Sequence, residues 1–213
     1  MTSKASLRRI MFISVPAILL MLVLGFVHSS TKEIISSNIL SSKKEKLLKL
    51  IPKGYHNEDV FIESLSVPET HLRSLGLNNG SDYHVVKNYG IPVAVIIPAV
   101  GEGYSGDIKI LVSINMAGNI IDVRVTSHQE TPGLGDKIEI TKSHWISQFS
   151  GRSLSNTTNV EWGLAPDGGA FDSFTGATIT LRAVVRQVFA TLNFSDVILN
   201  KGNDSLKKME VIN

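Results

Sequence analysis

The sequence has no cysteine among its 213 residues. This absence excludes disulfides, thiolate metal sites, iron–sulfur clusters and cysteine-attached haem. Any redox chemistry in the protein must therefore depend on an organic cofactor. The hydrophobic content of 43% is sufficient for one globular domain together with an additional segment.

A strong charge of either sign is also missing, since the formal net charge is only +2. The basic residues form no long run, so we expect no nucleic-acid partner. The six histidines lack the spacing of metal ligands, and no Gly-x-Ser-x-Gly motif marks a nucleophile. The sequence therefore predicts no metal site and no catalytic residue.

One long apolar run is present, from residue 10 to residue 27, and it follows Lys4, Arg8 and Arg9. Its length is close to the roughly 20 residues that cross a bilayer. A cleaved signal peptide is the competing interpretation, but residues 28–31 (His-Ser-Ser-Thr) lack a small-x-small cleavage pattern. We predict a cytoplasmic N-terminus at 1–9, a single transmembrane helix at 10–27 and export of the remaining chain.

The exported part divides into three predicted regions. Residues 28–54 form an amphipathic segment that is either a stalk or a first helix of the domain, and the sequence leaves both open. The main domain covers 55–200, beginning with short helix and loop up to Gly80. A polar tail, expected to be frayed, follows at 201–213.

The centre of the domain carries strand patterns. Residues 93–97 are a continuous apolar run between Pro92 and Pro98, which predicts a buried strand ended by the two prolines. A tight turn is predicted at 101–106. Two runs with period-2 alternation, 108–115 and 121–126, flank a Gly-containing turn and predict a β-hairpin. The expected fold class is α+β, an antiparallel sheet with helices packed on one face, preceded by the transmembrane helix.

A helix is predicted late in the domain by apolar residues at helical spacing. These are Leu181, Val184, Val185, Val188 and Leu192. The segment 172–178 lies at the N-terminus of this helix, where unpaired N–H groups and the dipole favour a phosphate. An Asp or Thr acting as an ordinary helix cap explains the same residues.

A second distinctive stretch, Glu-Thr-Pro-Gly-Leu-Gly, occupies residues 130–135. Pro132-Gly133 predicts a type II turn. On the simplest interpretation the stretch is a connection to a helix that Asp136 caps and that runs to Phe149. That helix would bury Ile138, Ile140, Trp145, Ile146 and Phe149, and a surface loop is expected at 150–170.

The two stretches together resemble the FMN-binding domain found in the G subunit of Rnf-type ion-translocating electron-transport complexes. This family is shared with the C subunit of the sodium-pumping NADH:quinone oxidoreductase. Residues 172–178 (Asp-Ser-Phe-Thr-Gly-Ala-Thr) match its pattern of Asp, two residues, Ser or Thr, Gly, a small residue and Thr. The likeness extends through Lys142, Trp145, Phe149 and Gly151 and through residues 168–171.

The resemblance implies that FMN is attached to Thr178 through a phosphoester bond. It also implies that Asp172 is recognised by a periplasmic flavin transferase that installs the FMN. Arg182 lies one turn beyond Thr178, where its charge could offset that of the phosphate, although a solvated surface residue is the simpler interpretation. The remaining expected cofactor-binding residues are Thr175, Gly176 and Ala177 in the first stretch and Glu130, Thr131, Pro132, Gly133, Leu134 and Gly135 in the second.

By the same resemblance, the protein is a single-pass subunit of the bacterial inner membrane with its main domain in the periplasm. It carries electrons within a complex that couples ferredoxin/NAD redox chemistry to ion translocation, and it is not expected to be catalytic alone. Its partners are the other subunits of that complex. Two alternatives remain open: the C subunit of the sodium pump, and a non-redox membrane-anchored assembly or binding module.

Overall fold

The computed structural model describes residues 14, 18–22, 24–26, 47, 50, 51 and 60–210. The chain divides into two compact units, Met1–Lys46 and Leu47–Asn213. The predicted N-terminus at 1–9 and most of the 10–27 and 28–54 segments lie outside the described residues. Among the residues that are described, no helix is both long and apolar enough to cross a membrane.

A five-stranded antiparallel sheet forms the centre of the second unit. Its strands lie in sequence order, and each pairs with its neighbours in the chain. This arrangement confirms the predicted antiparallel sheet with helices. The strands are β1 (Val60–Ser66), β2 (Asp82–Asn88), β3 (Ile91–Glu102), β4 (Asp107–Asn115) and β5 (Ile120–Ser127), with a short helix α1 (Glu69–Leu72) between β1 and β2.

A long helix, α2 (Thr178–Glu210), packs on one face of the sheet against β3 and β4. The five apolar residues that predicted this helix are all buried, with at most 2% of their surface exposed. They form the main core together with the strand residues that point to the same face. The helix continues beyond the predicted limit at Asn200, so residues 201–210 of the expected frayed tail are helical.

Two turns of the sheet match their predictions. Gly103 N–H donates to Gly106 O at 2.9 Å and closes the β3–β4 turn. In the β4–β5 turn, the Asn115 side chain accepts from the backbone N–H groups of Ala117 and Asn119. The hairpin predicted at 108–126 is therefore confirmed.

The prediction that Pro92 and Pro98 end a strand is wrong, because β3 continues across both. Pro92 lies at a bulge in the pairing with β2, where the ladder is irregular. Pro98 lies beyond the last residue of β3 that pairs with β2. Val100 N–H donates away from β4, to Leu75 O at 2.8 Å, so the missing N–H of Pro98 falls on that same open side.

Strand β1 was not predicted, since the 55–80 region was expected to hold only short helix and loop. Its sequence, Val-Phe-Ile-Glu-Ser-Leu-Ser, does not alternate between apolar and polar residues. As an edge strand it pairs on one side only and leaves Phe61 63% and Leu65 37% exposed. Its strand conformation comes from pairing with β2 rather than from a local pattern.

The second face of the sheet carries a smaller apolar cluster. Leu47, Leu50 and Ile51 are at most 5% exposed and pack there with four strand residues, namely Val60, Val86, Ala94 and Ile96. The Ser113 hydroxyl donates to Leu50 O at 2.9 Å. The described end of the 28–54 segment is therefore packed on the domain, and the second face is not purely polar.

The continuous helix predicted from Asp136 to Phe149 is absent. Two 3₁₀ helices, Gly135–Ile138 and Trp145–Phe149, occupy this stretch instead. Glu139 ends the first one with extended backbone, at φ −74° and ψ 135°. Four of the five residues expected to be buried are buried, whereas Ile140 is only partly so.

The predicted 150–170 surface loop is mostly turns with a 3₁₀ helix at Ala165–Asp167. Its second half is anchored in the core, because Leu164 and Phe171 are buried and form a β-bridge with each other. Phe171 leads directly into the segment 172–178.

Candidate functional site

The fold brings the two distinctive stretches into contact. The 130–135 turn follows β5, and the 172–178 segment leads into α2. A Cβ atom placed on Gly176 would lie 3.2 Å from Leu134 Cδ2, so the Leu134 side chain lies directly beside Gly176. Gly176 has φ +88°, which also favours glycine there. Two stretches that are well separated in the sequence therefore form one surface.

The predicted type II turn is present at Pro132-Gly133. Leu134 N–H donates to Thr131 O at 3.1 Å, and Gly133 has φ +79°. Thr131, Pro132, Gly133 and Leu134 are all exposed, whereas Gly135 is buried. Leu134 is 42% exposed and presents an apolar side chain beside Gly176.

Glu130 differs from the rest of this turn because it is buried, at 4% exposure. Its Oε1 accepts from Ser105 N–H at 3.0 Å, and its Oε2 accepts from the Thr180 hydroxyl in the first turn of α2. A Cβ on Gly135 would lie 2.7 Å from Glu130 Cβ. The carboxyl group therefore joins the turn, the β3–β4 loop and α2 in a closely packed contact.

His128 and Glu139 form hydrogen bonds next to the start of the same turn. Glu130 N–H donates to His128 Nδ1 at 3.0 Å, so the other ring nitrogen carries the hydrogen when the ring is neutral. That nitrogen, Nε2, lies 2.8 Å from Glu139 Oε1. This hydrogen bond holds the pKa of the Glu139 carboxyl below its ordinary value.

The start of the 172–178 segment is fixed through its backbone. Trp145 Nε1–H donates to Asp172 O at 2.6 Å, and Asp172 N–H donates to Gln148 Oε1 at 3.0 Å. The Asp172 residue itself is exposed. Its side chain has no hydrogen-bond partner among the described residues. The carboxyl group is thus presented to solvent from a fixed backbone.

The end of the segment forms the start of α2 without a side-chain cap. Leu181 N–H donates to Ala177 O at 3.0 Å, which makes Ala177 the N-cap residue and Thr178 the first helical residue. Within the described part of the chain, no side chain accepts a hydrogen bond from the first-turn amides. Asp172 and Thr175 therefore do not act as the ordinary cap that the sequence allowed.

These features fit the phosphate of FMN. Unpaired amides at the positive end of a long helix attract an anion. Thr178 is half-buried, Thr175 and Gly176 are exposed, and Ala177 is buried. The Thr178 hydroxyl makes no hydrogen bond to the described residues. It therefore lies unpaired, within the described residues, at a helix N-terminus, where a phosphate is favoured.

Arg182, considered above both as a counter-charge to the phosphate and as a solvated surface residue, forms an ion pair. Its Nε and Nη2 each donate to Asp167 at 2.7 Å, a bidentate contact across the 150–170 loop. This hydrogen bonding lowers the pKa of Asp167. Arg182 therefore links α2 to the loop rather than standing free beside Thr178. The described residues contain no cluster of side chains suited to a metal ion.

Sequence reasoning missed the residues that position the site: Trp145 and Gln148 for Asp172, and Ser105 and Thr180 for Glu130. Their partners are between 24 and 50 positions away along the chain. Local patterns such as a turn or a helix period carry no information on such contacts.

Comparison with known proteins shows the family of the chain. Residues 103–193 match the model of the FMN-binding domain family, a range that contains both distinctive stretches. The chain is 36% identical over 197 residues to the G subunit of the ion-translocating oxidoreductase complex of Pseudomonas aeruginosa, covering 92% of this chain and 91% of that protein. The chain belongs to this family of G subunits.

Other G subunits of ion-translocating oxidoreductase complexes give the same result. The relative from Photorhabdus laumondii is 39% identical over 173 residues, with 81% of each chain covered. The relative from Shewanella baltica is 41% identical over 67% of this chain and 66% of its own. The family resemblance drawn from the two stretches is therefore confirmed. The crystal structure of Shewanella oneidensis NqrC covers 68% of this chain and 70% of its own, with 24% identity and a TM-score of 0.47.

Proposed function

We propose that this chain is the electron-carrying G subunit of an Rnf-type complex, with FMN attached covalently to Thr178. Bound FMN supplies reversible redox chemistry, which a chain without cysteine has to obtain from an organic cofactor. The complex couples ferredoxin/NAD electron transfer to ion translocation, and this protein passes electrons between its partners in the complex. It is not catalytic alone.

The observation that carries the proposal is the position of Thr178. It is the first residue of a long helix, its hydroxyl has no hydrogen-bond partner in the described chain, and Ala177 leaves the amides around it uncapped. The amides of Thr178, Ile179 and Thr180 would bind the phosphate. Leu134 lies beside Gly176, and it and the other exposed residues of its turn, Thr131, Pro132 and Gly133, are available to the isoalloxazine ring.

Attachment requires an activated donor, because esterifying a phosphate in water is unfavourable. The donor class is a flavin dinucleotide, in which FMN is joined to a nucleotide through a phosphoanhydride. Thr178 Oγ forms the new bond to phosphorus, the anhydride P–O bond breaks, the mononucleotide leaves and the hydroxyl proton is released. No electrons are transferred in this step, which a periplasmic flavin transferase catalyses after recognising Asp172.

The covalent bond has a clear use in an exported domain. A dissociated FMN would be lost by dilution, whereas an ester keeps it at a high effective concentration. We place the domain in the periplasm and the predicted 10–27 helix in the inner membrane. Supporting this, seven described apolar side chains of the first unit are at least 57% exposed, namely Ile18, Leu19, Leu20, Met21, Leu22, Leu24 and Phe26. Such exposed apolar surface is typical of contact with lipid.

The experiment is to express the full chain with a flavin transferase and to denature it before electrophoresis. We expect yellow-green flavin fluorescence on the denatured band and an added mass equal to FMN minus one water. The Thr178→Ala variant should lose both signals, whereas Thr126→Ala, the same change at an exposed threonine outside both stretches, should keep them. An unmodified wild-type chain would refute the flavin assignment and favour a non-redox binding module.

A further inference from the structure

We propose that the 3₁₀ helix Trp145–Phe149 is the positioning element for flavin attachment, because it fixes the backbone of Asp172 relative to Thr178. The inference rests on the proposed function and names residues that act on the attachment reaction without touching the reacting atoms. Trp145 and Gln148 are the two positioning residues.

The backbone of Asp172 forms two hydrogen bonds to this 3₁₀ helix. Asp172 donates its N–H to Gln148 Oε1 at 3.0 Å and accepts at its carbonyl from Trp145 Nε1 at 2.6 Å. Both peptide groups flanking the Asp172 Cα are thereby held by side chains of one short helix. Rotation about the backbone of this residue would break at least one of the two bonds.

The 3₁₀ helix is itself packed in the core of the domain. Trp145 is 6% exposed and Phe149 is fully buried, and their rings meet edge to face at 5.5 Å. Phe174, inside the 172–178 segment, packs edge to face on Trp145 at 6.2 Å. The start of the segment is therefore connected to the domain core through one aromatic residue.

The 172–178 segment is held at both ends but not in its middle. Ala177 is buried and begins α2, so the far end is also fixed. Between the two ends, Thr175 and Gly176 make no hydrogen bonds to the described residues. The segment is thus a short bridge fixed at both ends, with its reactive hydroxyl and its recognised carboxyl at set positions.

Such a bridge lowers the cost of recognition by the transferase. Asp172 and Thr178 are close in sequence, and an unrestrained chain of this length samples separations up to roughly 20 Å. The transferase would have to order that chain on binding. With the bridge preformed, Asp172 and Thr178 can be engaged together. The transferase therefore acts on the folded domain rather than on an unfolded linear motif.

The test is a kinetic comparison of two Trp→Phe variants in the full chain. Trp145→Phe removes the N–H that binds Asp172 while keeping an aromatic ring. Trp162→Phe is the matched control, since Trp162 lies in the same aromatic cluster but its buried Nε1 has no partner among the described residues. FMN incorporation by purified flavin transferase is followed by mass, over a range of acceptor concentrations.

We expect Trp145→Phe to lower kcat/KM for the acceptor about tenfold, mainly through KM, which corresponds to the loss of one hydrogen bond. Gln148→Ala should have a similar effect, and it provides a second route should Trp145→Phe fold poorly. Trp162→Phe should stay within about twofold of wild type. Equal losses in Trp145→Phe and Trp162→Phe would overturn the proposal.

A double-mutant cycle separates positioning from general stability. If Trp145 acts by presenting Asp172, then Trp145→Phe should cost less than about twofold once Asp172 is replaced by Asn. An undiminished loss of about tenfold in that background would also refute the inference. These outcomes differ from failure of the proposed function itself, which would appear as wild-type chain that accepts no FMN or as Thr178→Ala that still does.

Discussion

The 130–135 turn and the 172–178 segment meet at Leu134 and Gly176, but they are held in place in different ways. The turn depends on a buried side chain, since both carboxyl oxygens of Glu130 accept hydrogen bonds from groups inside the domain. The segment depends on its backbone, which Trp145 and Gln148 hold at Asp172. The side chains of Asp172 and Thr178 remain available to other molecules.

This difference separates two kinds of motif residue. The Glu130 carboxyl group is bound to partners inside the fold, whereas Asp172 and Thr178 are placed where a ligand or an enzyme can reach them. Substitutions in the first group should lower stability, and substitutions in the second should leave stability almost unchanged while reducing or abolishing modification. The following variants test that separation.

The largest effect on stability is expected for Glu130→Ala. The change leaves Ser105 N–H and the Thr180 hydroxyl without their acceptor at a buried position, and should lower the free energy of unfolding by about 3 kcal/mol. Glu130→Gln keeps one acceptor oxygen and should cost about half as much. Urea unfolding of the full chain in detergent measures both. A loss under about 0.5 kcal/mol for Glu130→Ala would show that Glu130 is not the anchor of the turn.

A smaller loss is expected for Gly135→Ala. The added Cβ would meet Glu130 Cβ at 2.7 Å and Glu130 Oε2 at 3.0 Å, so the carboxyl group must shift. We expect a decrease of about 2 kcal/mol in the free energy of unfolding. Gly163→Ala is the control, because its Cβ meets nothing nearer than 3.6 Å. Equal losses for the two variants would contradict close packing around Glu130.

The smallest effects are expected in the 172–178 segment. Asp172→Ala and Thr178→Ala remove side chains that have no hydrogen-bond partner in the described chain. Their free energies of unfolding should remain within about 0.5 kcal/mol of wild type. Flavin incorporation should nevertheless be lost in Thr178→Ala and strongly reduced in Asp172→Ala. A loss of stability comparable to that of Glu130→Ala would contradict the difference between the two stretches, namely that only the turn depends on a side chain for its stability.

The parts of the fold that were predicted from sequence are those with a regular local pattern. Helix α2 followed from five apolar residues at helical spacing, and the β4–β5 hairpin followed from two alternating runs around a glycine turn. Strand β1 had no such pattern, because its conformation comes from pairing with β2 at the sheet edge. The helix expected at 136–149 failed because Glu139 adopts extended backbone and reaches His128.

The site shows the same division. Thr178 at a helix start and the Pro132-Gly133 turn were predictable because each depends on neighbouring residues. The burial of Glu130 was not, because its partners come from the β3–β4 loop and from α2. The roles of Trp145 and Gln148 could not be predicted from the sequence either. Their contacts with Asp172 exist only after residues 145–148 have folded against the segment.

The central claim is that Thr178 Oγ bears FMN, and peptide mapping tests it most directly. Trypsin cleaves after Arg152 and Arg182 and leaves residues 153–182 as one peptide, since no Lys or Arg lies between them. After co-expression with a flavin transferase, this peptide should carry the mass of FMN minus water, and fragmentation should assign it to Thr178. Finding the peptide unmodified, or the flavin on another residue, would contradict the account.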